Sequence, residues 1–178
     1  MRSIFTIGHS THEAGNFVEL LRGAGIDLLT DVRRFPSSRR LPWFNSTELE
    51  RSLGAVAIEY VHVEALGGRR DPDPDSPNGG WRVGQFRGYA DHMASREFRD
   101  ALDRLIAVAG QRRAAVMCAE AQWRRCHRRL LADALLARGV EVLHVDARGH
   151  FEPHELTPFA VVEDHRLSYP PAQAELDV

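Results

Sequence analysis

The sequence predicts an α/β fold, a Rossmann-like parallel sheet of about five strands with helices on both faces. Two observations carry that prediction. Short apolar runs recur along the 178 residues, each ending at glycine or in a polar cluster, and stripes of Leu, Phe and Ala at helical spacing separate them. Runs and stripes alternate, which calls for parallel strands joined by right-handed crossovers. With 43% hydrophobic residues there is material for a real core, so residues 1–170 are expected to form a single α/β domain, with a frayed end over 171–178.

Ser3 to Ile7 reads as the first strand and runs into Gly8-His9-Ser10. Ser10 and Glu13 form a capping pattern ahead of Phe17, Leu20, Leu21 and Ala24, a helical stripe that stops near Gly25. Ile26 to Val32 is the second strand, broken by Arg33-Arg34-Phe35-Pro36. Asn45 and Glu48 start a helix that buries Leu49, Leu53 and Val56, and Ile58 to Val63 is a third strand. From Leu66-Gly67-Gly68 to Gly84 the Asp, Pro and Gly content marks a loop long enough to act as a lid. Helical segments follow from Phe86 to Tyr89 and through Phe98, Leu102, Leu105, Ile106 and Ala109. Ala114 to Cys118 is the fourth strand, Trp123 to Arg138 a helix, and Val140 to Val145 the fifth strand. The tail is expected to hold a short helix over Pro158 to Asp164 before Tyr169-Pro170-Pro171.

Composition narrows the function. The formal charge is −2, so the whole molecule offers no electrostatic case for wrapping nucleic acid. All 23 basic residues are arginine, which excludes a Schiff-base lysine and the lysine of a phosphate-binding P-loop. The first residues, Met1 to Gly8, are too soon broken by glycine to read as a signal peptide, and no apolar stretch reaches membrane-spanning length. A cytoplasmic location without membrane partners is the expectation. Two cysteines fit a reducing compartment, where a pair close in sequence is more often catalytic or metal-binding than a structural staple.

In a parallel sheet, ligands bind beyond the carboxyl ends of the strands. Here those ends carry His9, Asp31 and Arg33, Glu64, Cys118-Ala119-Glu120, and His144 with Asp146. Three constellations stand out. The first is thiolate chemistry at Cys118, with Cys126 as resolving partner or second ligand. Arg124, Arg125, Arg128 and Arg129 would fall in the first turns of the following helix, where the macrodipole disfavours cations by roughly 0.3–1 kcal/mol each, so a compensating anion is expected. Cys118 and Arg124 also match the C-x5-R spacing of phosphatase loops, but the intervening Ala-Glu-Ala-Gln-Trp lacks the glycines such loops need.

The second constellation is a metal site built from Cys118, Cys126, His127 and one of His9, His144, His150 or His154. Adjacent side chains on a helix point about 100° apart, which makes Cys126 and His127 awkward joint ligands. The third runs from Asp31 to Arg40, where Arg33, Arg34, Arg39, Arg40, Ser37 and Ser38 look like an anion-binding loop with Trp43 and Phe44 near enough to stack on a base. Ser10 reads as a helix cap, His9 as a ligand or acid–base group, and His150 to Glu155 as a solvated segment. Trp81 to Tyr89, with Arg82 and Arg87, could close over the rim.

Thr6-Ile7-Gly8-His9-Ser10, Asp31-Val32-Arg33 with Pro36, Ser38 and Arg39, Leu66-Gly67-Gly68-Arg69, Phe86-Arg87-Gly88-Tyr89-Ala90, Cys118-Ala119-Glu120, Cys126-His127-Arg128, and His154-Glu155-Leu156-Thr157 with Tyr169-Pro170 form an ordered series. Together they resemble one family, that of domain of unknown function 488. The resemblance spans nearly the whole chain, and implies a fold and a choice of residues without implying a reaction. One departure lies between the two cysteine motifs, where the family often has a proline and this chain has Gln122-Trp123.

The leading expectation is an enzyme that binds a phosphate-bearing nucleotide or nucleic-acid end at the strand-end rim. Cys118 is its nucleophile or redox thiol, and Glu120, His9 and His127 are acid–base or orienting groups. Arg33, Arg39 and Arg128 hold the anion, with Asp31, Ser38 and Cys126 completing the ligand site. No cofactor is indicated. The alternatives are a non-catalytic anion- or nucleotide-binding module using the same arginines, and a Cys/His metal-binding protein.

Overall fold

Strand composition decides which strands lie inside the sheet. In the computed structural model, which describes residues 3–172, strands β2 (Leu28–Asp31) and β4 (Ala114–Cys118) are buried at every residue. Continuous burial is what a parallel strand covered on both faces requires. Strand β1 (Ser3–Gly8) is buried from Ile4 onward, whereas β3 (Glu59–His62) alternates little and is mostly exposed at an edge. With β5 (Glu141–Val145) and β6 (Phe151–Pro153) they form one six-stranded sheet in the order β3-β2-β4-β1-β5-β6. All pairings are parallel except β5 with β6.

Alternation along the strands sorts residues to two cores. Phe5, Ile7, Leu29, Ala115 and Met117 face the helices α1 (Ala14–Gly23) and α2 (Ser46–Gly54), meeting Phe17, Leu21, Leu49 and Leu53. Ile4, Val116 and Cys118 face the other side, covered by α3 (Gly84–Met93), α4 (Arg96–Ala109) and α5 (Arg128–Ala137). Cys118 therefore points toward the start of α5. Chain direction reverses at the centre: β1 connects toward β2, and β4, lying between β2 and β1, connects by α5 to β5 on the other side. The ladder of β1 and β4 continues past both strand ends, since His9 N–H donates to the Cys118 carbonyl at 2.9 Å and Ser10 N–H to that of Ala119 at 3.0 Å.

The structure revises several expected elements. The sheet has six strands rather than five because Phe151–Pro153 returns antiparallel along β5, with proline at the sheet edge where a missing N–H is harmless. The expected helix over 158–164 is instead part of a hairpin, β7 (Val161–Glu163) with β8 (Arg166–Ser168). Ser10 does not cap α1: it turns the chain at φ 47°, and Glu13 occupies the N-cap without a side-chain bond. The helix expected from Trp123 breaks into a single 3-10 turn, Trp123–Arg125, then an extended Cys126, then α5. Of the expected frayed end 171–178, residues 173–178 lie outside the described residues. No helix among the described residues is long and apolar enough to cross a membrane.

The long loop after Gly67 is tied down rather than free. Asp91 of α3 accepts from Asp73 N–H, Ser76 Oγ and Asn78 Nδ2, and buried Asn78 in turn accepts from Tyr169 N–H at 2.9 Å. A second hub is Asp133 of α5, wholly buried, whose carboxylate accepts from Tyr169 Oη at 2.7 Å and from Thr157 N–H and His154 Nε2 at 2.9 Å each. Asp133 thereby pins the tail across α5. Replacing it with alanine strands three buried donors, and hydrogen bonds to a buried charge contribute about 1.5–3 kcal/mol each. Asp133→Ala is expected to lower unfolding free energy by at least ~3 kcal/mol in urea titration; a loss under ~1 kcal/mol would show that water replaces the carboxylate.

Candidate functional site

Both strand ends at the sheet centre open into one cleft of about 320 Å³. Its floor is Cys118, at the end of β4, and Cys126, just before α5, with Sγ atoms 3.0 Å apart and neither in a disulfide. The break between the 3-10 turn and α5 creates this contact. Cys126 is extended, at φ −130° and ψ 155°, and His127 begins the helical backbone, so neither is constrained by helical spacing as the sequence had suggested.

His127 completes a dyad. Its Nε2 lies 3.2 Å from the Val32 carbonyl, which can only accept, so Nε2 carries a hydrogen and Nδ1 is free to take a proton from Cys126 Sγ at 3.5 Å. Nucleophile, base and an orienting third group are the parts of an activated thiol. The ring is packed from below by Gly68: a Cβ there would sit 2.7 Å from Nδ1. That contact accounts for the glycine in Leu66-Gly67-Gly68.

The two thiols are inequivalent. Burial, then the hydrogen bond and charge of Cys126, hold Cys118 well above the usual thiol range. Burial also opposes ionisation of Cys126, but the bond from Cys118 and the facing His127 and Arg128 outweigh it and hold this thiol well below its usual range. The Arg128 N–H, first in the ten-residue α5, points at Cys126 Sγ from 3.5 Å. A helix N-terminus is where a thiolate is favoured.

Arg128 is 1% exposed and forms the wall behind the thiols instead of projecting into the cleft. Its Nη2 grips the carbonyls of Glu120 and Ala121, its Nη1 donates to Thr6 Oγ1 at 3.4 Å, and its Nε has no partner. Gly8 makes room for it, because a Cβ at that position would sit 1.9 Å from the Glu120 oxygen and 2.9 Å from Arg128 Nη2. No carboxylate among the described residues lies within ion-pair distance of this guanidinium. A relay leads from Thr6 to a carboxylate: Thr6 Oγ1 to His144 Nδ1 at 2.6 Å, His144 Nε2 to His154 Nδ1 at 2.9 Å, and His154 Nε2 to Asp133 Oδ1 at 2.9 Å. A pure donor at one end and a pure acceptor at the other give every hydrogen in that chain one direction.

Arg33 is neutralised. Its Nε and Nη2 bind the Asp31 carboxylate at 2.9 and 2.6 Å, and Tyr60 Oη donates to the same group, so Asp31 sits behind the cleft and fixes Arg33 at its edge. Arg33 Nη1 reaches His9 Nε2 at 3.4 Å, His9 Nδ1 donates to the Ser10 carbonyl, and the ring stacks on Phe44 at 4.2 Å. Burial pushes His9 down to about 4, which leaves it neutral with Nε2 facing Arg33.

The remaining wall is cationic. Arg34, Arg69 and Arg125 line the cleft, and none has a carboxylate within ion-pair distance among the described residues, while Glu120 is the one acidic side chain in the lining. Arg69 adopts φ 58°, a left-handed conformation that non-glycine residues rarely hold outside functional loops. Phe35, 59% exposed, and Phe86 supply aromatic surface.

Of the residues selected from sequence, Cys118, Cys126, His127, His9, Glu120, Arg33 and Ser38 line the cleft. Asp31 and Arg128 stand behind it, and Arg39 is exposed away from it. The basic helix start is also revised: Arg124 pairs with Glu152, Arg129 donates to Thr157 Oγ1 at 3.0 Å, and only Arg125 of the four faces the cleft. Trp43 and Phe44 are not stacking surfaces, since Trp43 donates to the His12 carbonyl and Phe44 is buried. His154, read as solvated, is 6% exposed inside the relay. No group of three or more His, Cys, Asp or Glu side chains among the described residues is arranged to hold a metal ion. Gln85, brought in by α3, carried no signal in the sequence.

A family model described as "Domain of unknown function DUF488" matches residues 13–135. No curated protein and no solved structure matches the chain.

Burial sets an acid limit on this arrangement. Burial, then the facing His154 and Arg128, push His144 down to about 2, and His9 and His92 are lowered by burial as well. Below an unfolded value of about 6.5, the unfolded chain binds protons that the folded chain refuses, so stability is full above that pH and falls on acidification toward the folded values. The urea midpoint is expected to drop between about pH 7 and about pH 5. A constant midpoint across that window would contradict neutral burial of these rings.

Proposed function

The chain belongs to the DUF488 family, and we propose that it is an enzyme in which a Cys126 thiolate, generated by His127, acts on a phosphate-bearing ligand of the nucleotide type, free or at a nucleic-acid end. The observation that carries this reading is a thiol–imidazole dyad at the floor of a cleft whose walls hold three arginines without a carboxylate partner among the described residues. Guanidinium forks match phosphate oxygens in pairs, and charge-assisted bonds are roughly twice as strong as neutral ones. Phe35 and Phe86 offer faces for a base, and Ser38 and Gln85 offer polar groups for a sugar or base edge.

The roles differ from those expected from sequence. Cys126 is the nucleophile and Cys118 the proton-holding neighbour, because the helix N-terminus and His127 meet Cys126. His127 takes the thiol proton and can return it to a leaving group. Arg128, held from behind, stabilises the thiolate and fixes the carbonyls of the Glu120 loop. Neutral His9 and the Asp31-bound Arg33 shape the far wall, and Glu120 is the free carboxylate available for proton transfer.

A second reading, a non-catalytic anion-binding module, keeps Arg34, Arg69 and Arg125 and gives the thiols no part. Two measurements on reduced protein separate the readings. Calorimetric titration with inorganic phosphate and a nucleoside monophosphate is expected to show salt-sensitive binding, weakened about tenfold or more by Arg69→Ala with Arg125→Ala. Iodoacetamide is expected to label Cys126 well below pH 8.5 while Cys118 stays unlabelled, and Gly68→Ala, by displacing His127, is expected to move that labelling profile upward. Labelling of Cys126 that begins only near pH 8.5 removes the enzyme reading, and binding indifferent to both arginines removes the two readings together.

A further inference from the structure

The bond from Cys118 helps His127 and Arg128 hold the Cys126 thiol low, but a hydroxyl donor in its place would serve that purpose as well. A second thiol in contact with the first calls for its own account. Cys118 sits on the central strand with its Sγ 3.0 Å from Cys126 Sγ and 3.8 Å from the Glu120 carbonyl, and it faces the Arg128 guanidinium. A disulfide requires the sulfurs to close to about 2.05 Å. Side-chain rotation of the extended, pre-helical Cys126 covers that distance without moving the sheet. Both thiols line the cleft, yet each is almost fully buried, at 2% and 4% exposure. A small oxidant fits that limited exposure.

We propose that Cys118 and Cys126 form a reversible oxidative modification site, in which a small hydroperoxide converts the pair to an intramolecular disulfide that removes the nucleophile. This rests on the proposed thiolate role of Cys126 and adds its regulation. In the first step the Cys126 thiolate attacks the hydroxyl oxygen of the hydroperoxide: the S–O bond forms, the O–O bond breaks, and the departing oxygen anion takes the proton held on His127 Nδ1 and leaves as an alcohol, or as water where the oxidant is hydrogen peroxide. The sulfur is oxidised by two electrons to the sulfenic acid and the peroxide is reduced. In the second step Cys118 sulfur attacks Cys126 sulfur: the S–S bond forms, the S–O bond breaks, and the hydroxyl leaves as water with the Cys118 proton. An external dithiol supplies the two electrons and two protons that restore the pair.

The arrangement also has a protective consequence. A sulfenic acid left in the cleft proceeds irreversibly to sulfinic acid with further peroxide, whereas a contacting thiol captures it first. Capture is intramolecular and needs no diffusion.

The test uses the whole reduced chain, hydrogen peroxide, and peptide mapping by mass spectrometry after differential alkylation. With alkylation carried out after unfolding, the wild-type chain is expected to lose both thiols together, to yield one linked peptide pair containing Cys118 and Cys126, and to recover both thiols with dithiothreitol. Cys118→Ser is expected to accumulate a dimedone-reactive sulfenic acid and then sulfinic acid at Cys126, and Cys126→Ser to leave Cys118 unoxidised at the same dose. Sulfinic acid at Cys126 of the wild type without the linked pair, or linkage only between separate chains, would overturn the inference. Phosphate binding by the reduced protein is scored separately. Binding without the disulfide rejects this inference alone, and the disulfide without binding rejects the anion reading alone.

Discussion

Arg128 is 1% exposed at the junction of β1, β4 and α5 without a carboxylate beside it, and the polar groups around the sheet centre are arranged to satisfy that cation. An unpaired buried charge costs several kcal/mol, more than a single mutation-sized contact can offset. The molecule meets that cost in two ways. Toward the cleft, two backbone carbonyls at Glu120 and Ala121 accept from the guanidinium, and the thiol pair lies close enough to lend negative charge. Toward the core, Thr6, His144 and His154 relay it to Asp133, which also fastens Thr157 and Tyr169.

That relay explains residues whose chemistry does not face the cleft. Burial, then the facing His154 and Arg128, keep His144 neutral, its two hydrogen bonds fit that form, and Trp123 stacks on its ring at 3.9 Å. Trp123 in turn belongs to the short turn that positions Cys126, and its indole N–H donates to Glu152. The strand end, the turn and the tail therefore meet at one set of hydrogen bonds.

The strand ends were legible in the sequence because a parallel strand buried on both faces is a short apolar run with a sharp polar stop, and β2 and β4 read that way residue by residue. The rim residues followed from the same stops. What escaped was everything that depends on contacts distant in sequence. The run from Trp123 onward is rich in good helix formers, so local preference alone continues the helix; the chain breaks at Cys126 because Trp123 is drawn onto His144 and Arg124 to Glu152. His154 looked solvated beside proline and glutamate, yet pairing of β6 with β5 carries it inside, onto His144. Ser10 matched a capping pattern, but the β1 and β4 ladder extends to its N–H and turns it away from the helix. Arg39 and Arg128 were both read as anion holders, and only burial could separate a wall residue from a solvated one.

The same break makes the two cysteines inequivalent. Had the helix begun at Trp123, Cys126 and His127 would have pointed about 100° apart and Cys126 would have lost its place ahead of the first free N–H groups. Beginning it at Arg128 puts Cys126 where the Arg128 N–H and His127 Nδ1 converge on its sulfur, and leaves Cys118 on the strand beside one carbonyl and that sulfur, facing the Arg128 guanidinium. A proton shared by two such thiols belongs on Cys118. Along the cleft, Arg34, Arg69 and Arg125 have no ion-pair partner among the described residues. On the proposed reading, cationic walls over a floor of two thiols would draw an anion to the Cys126 sulfur.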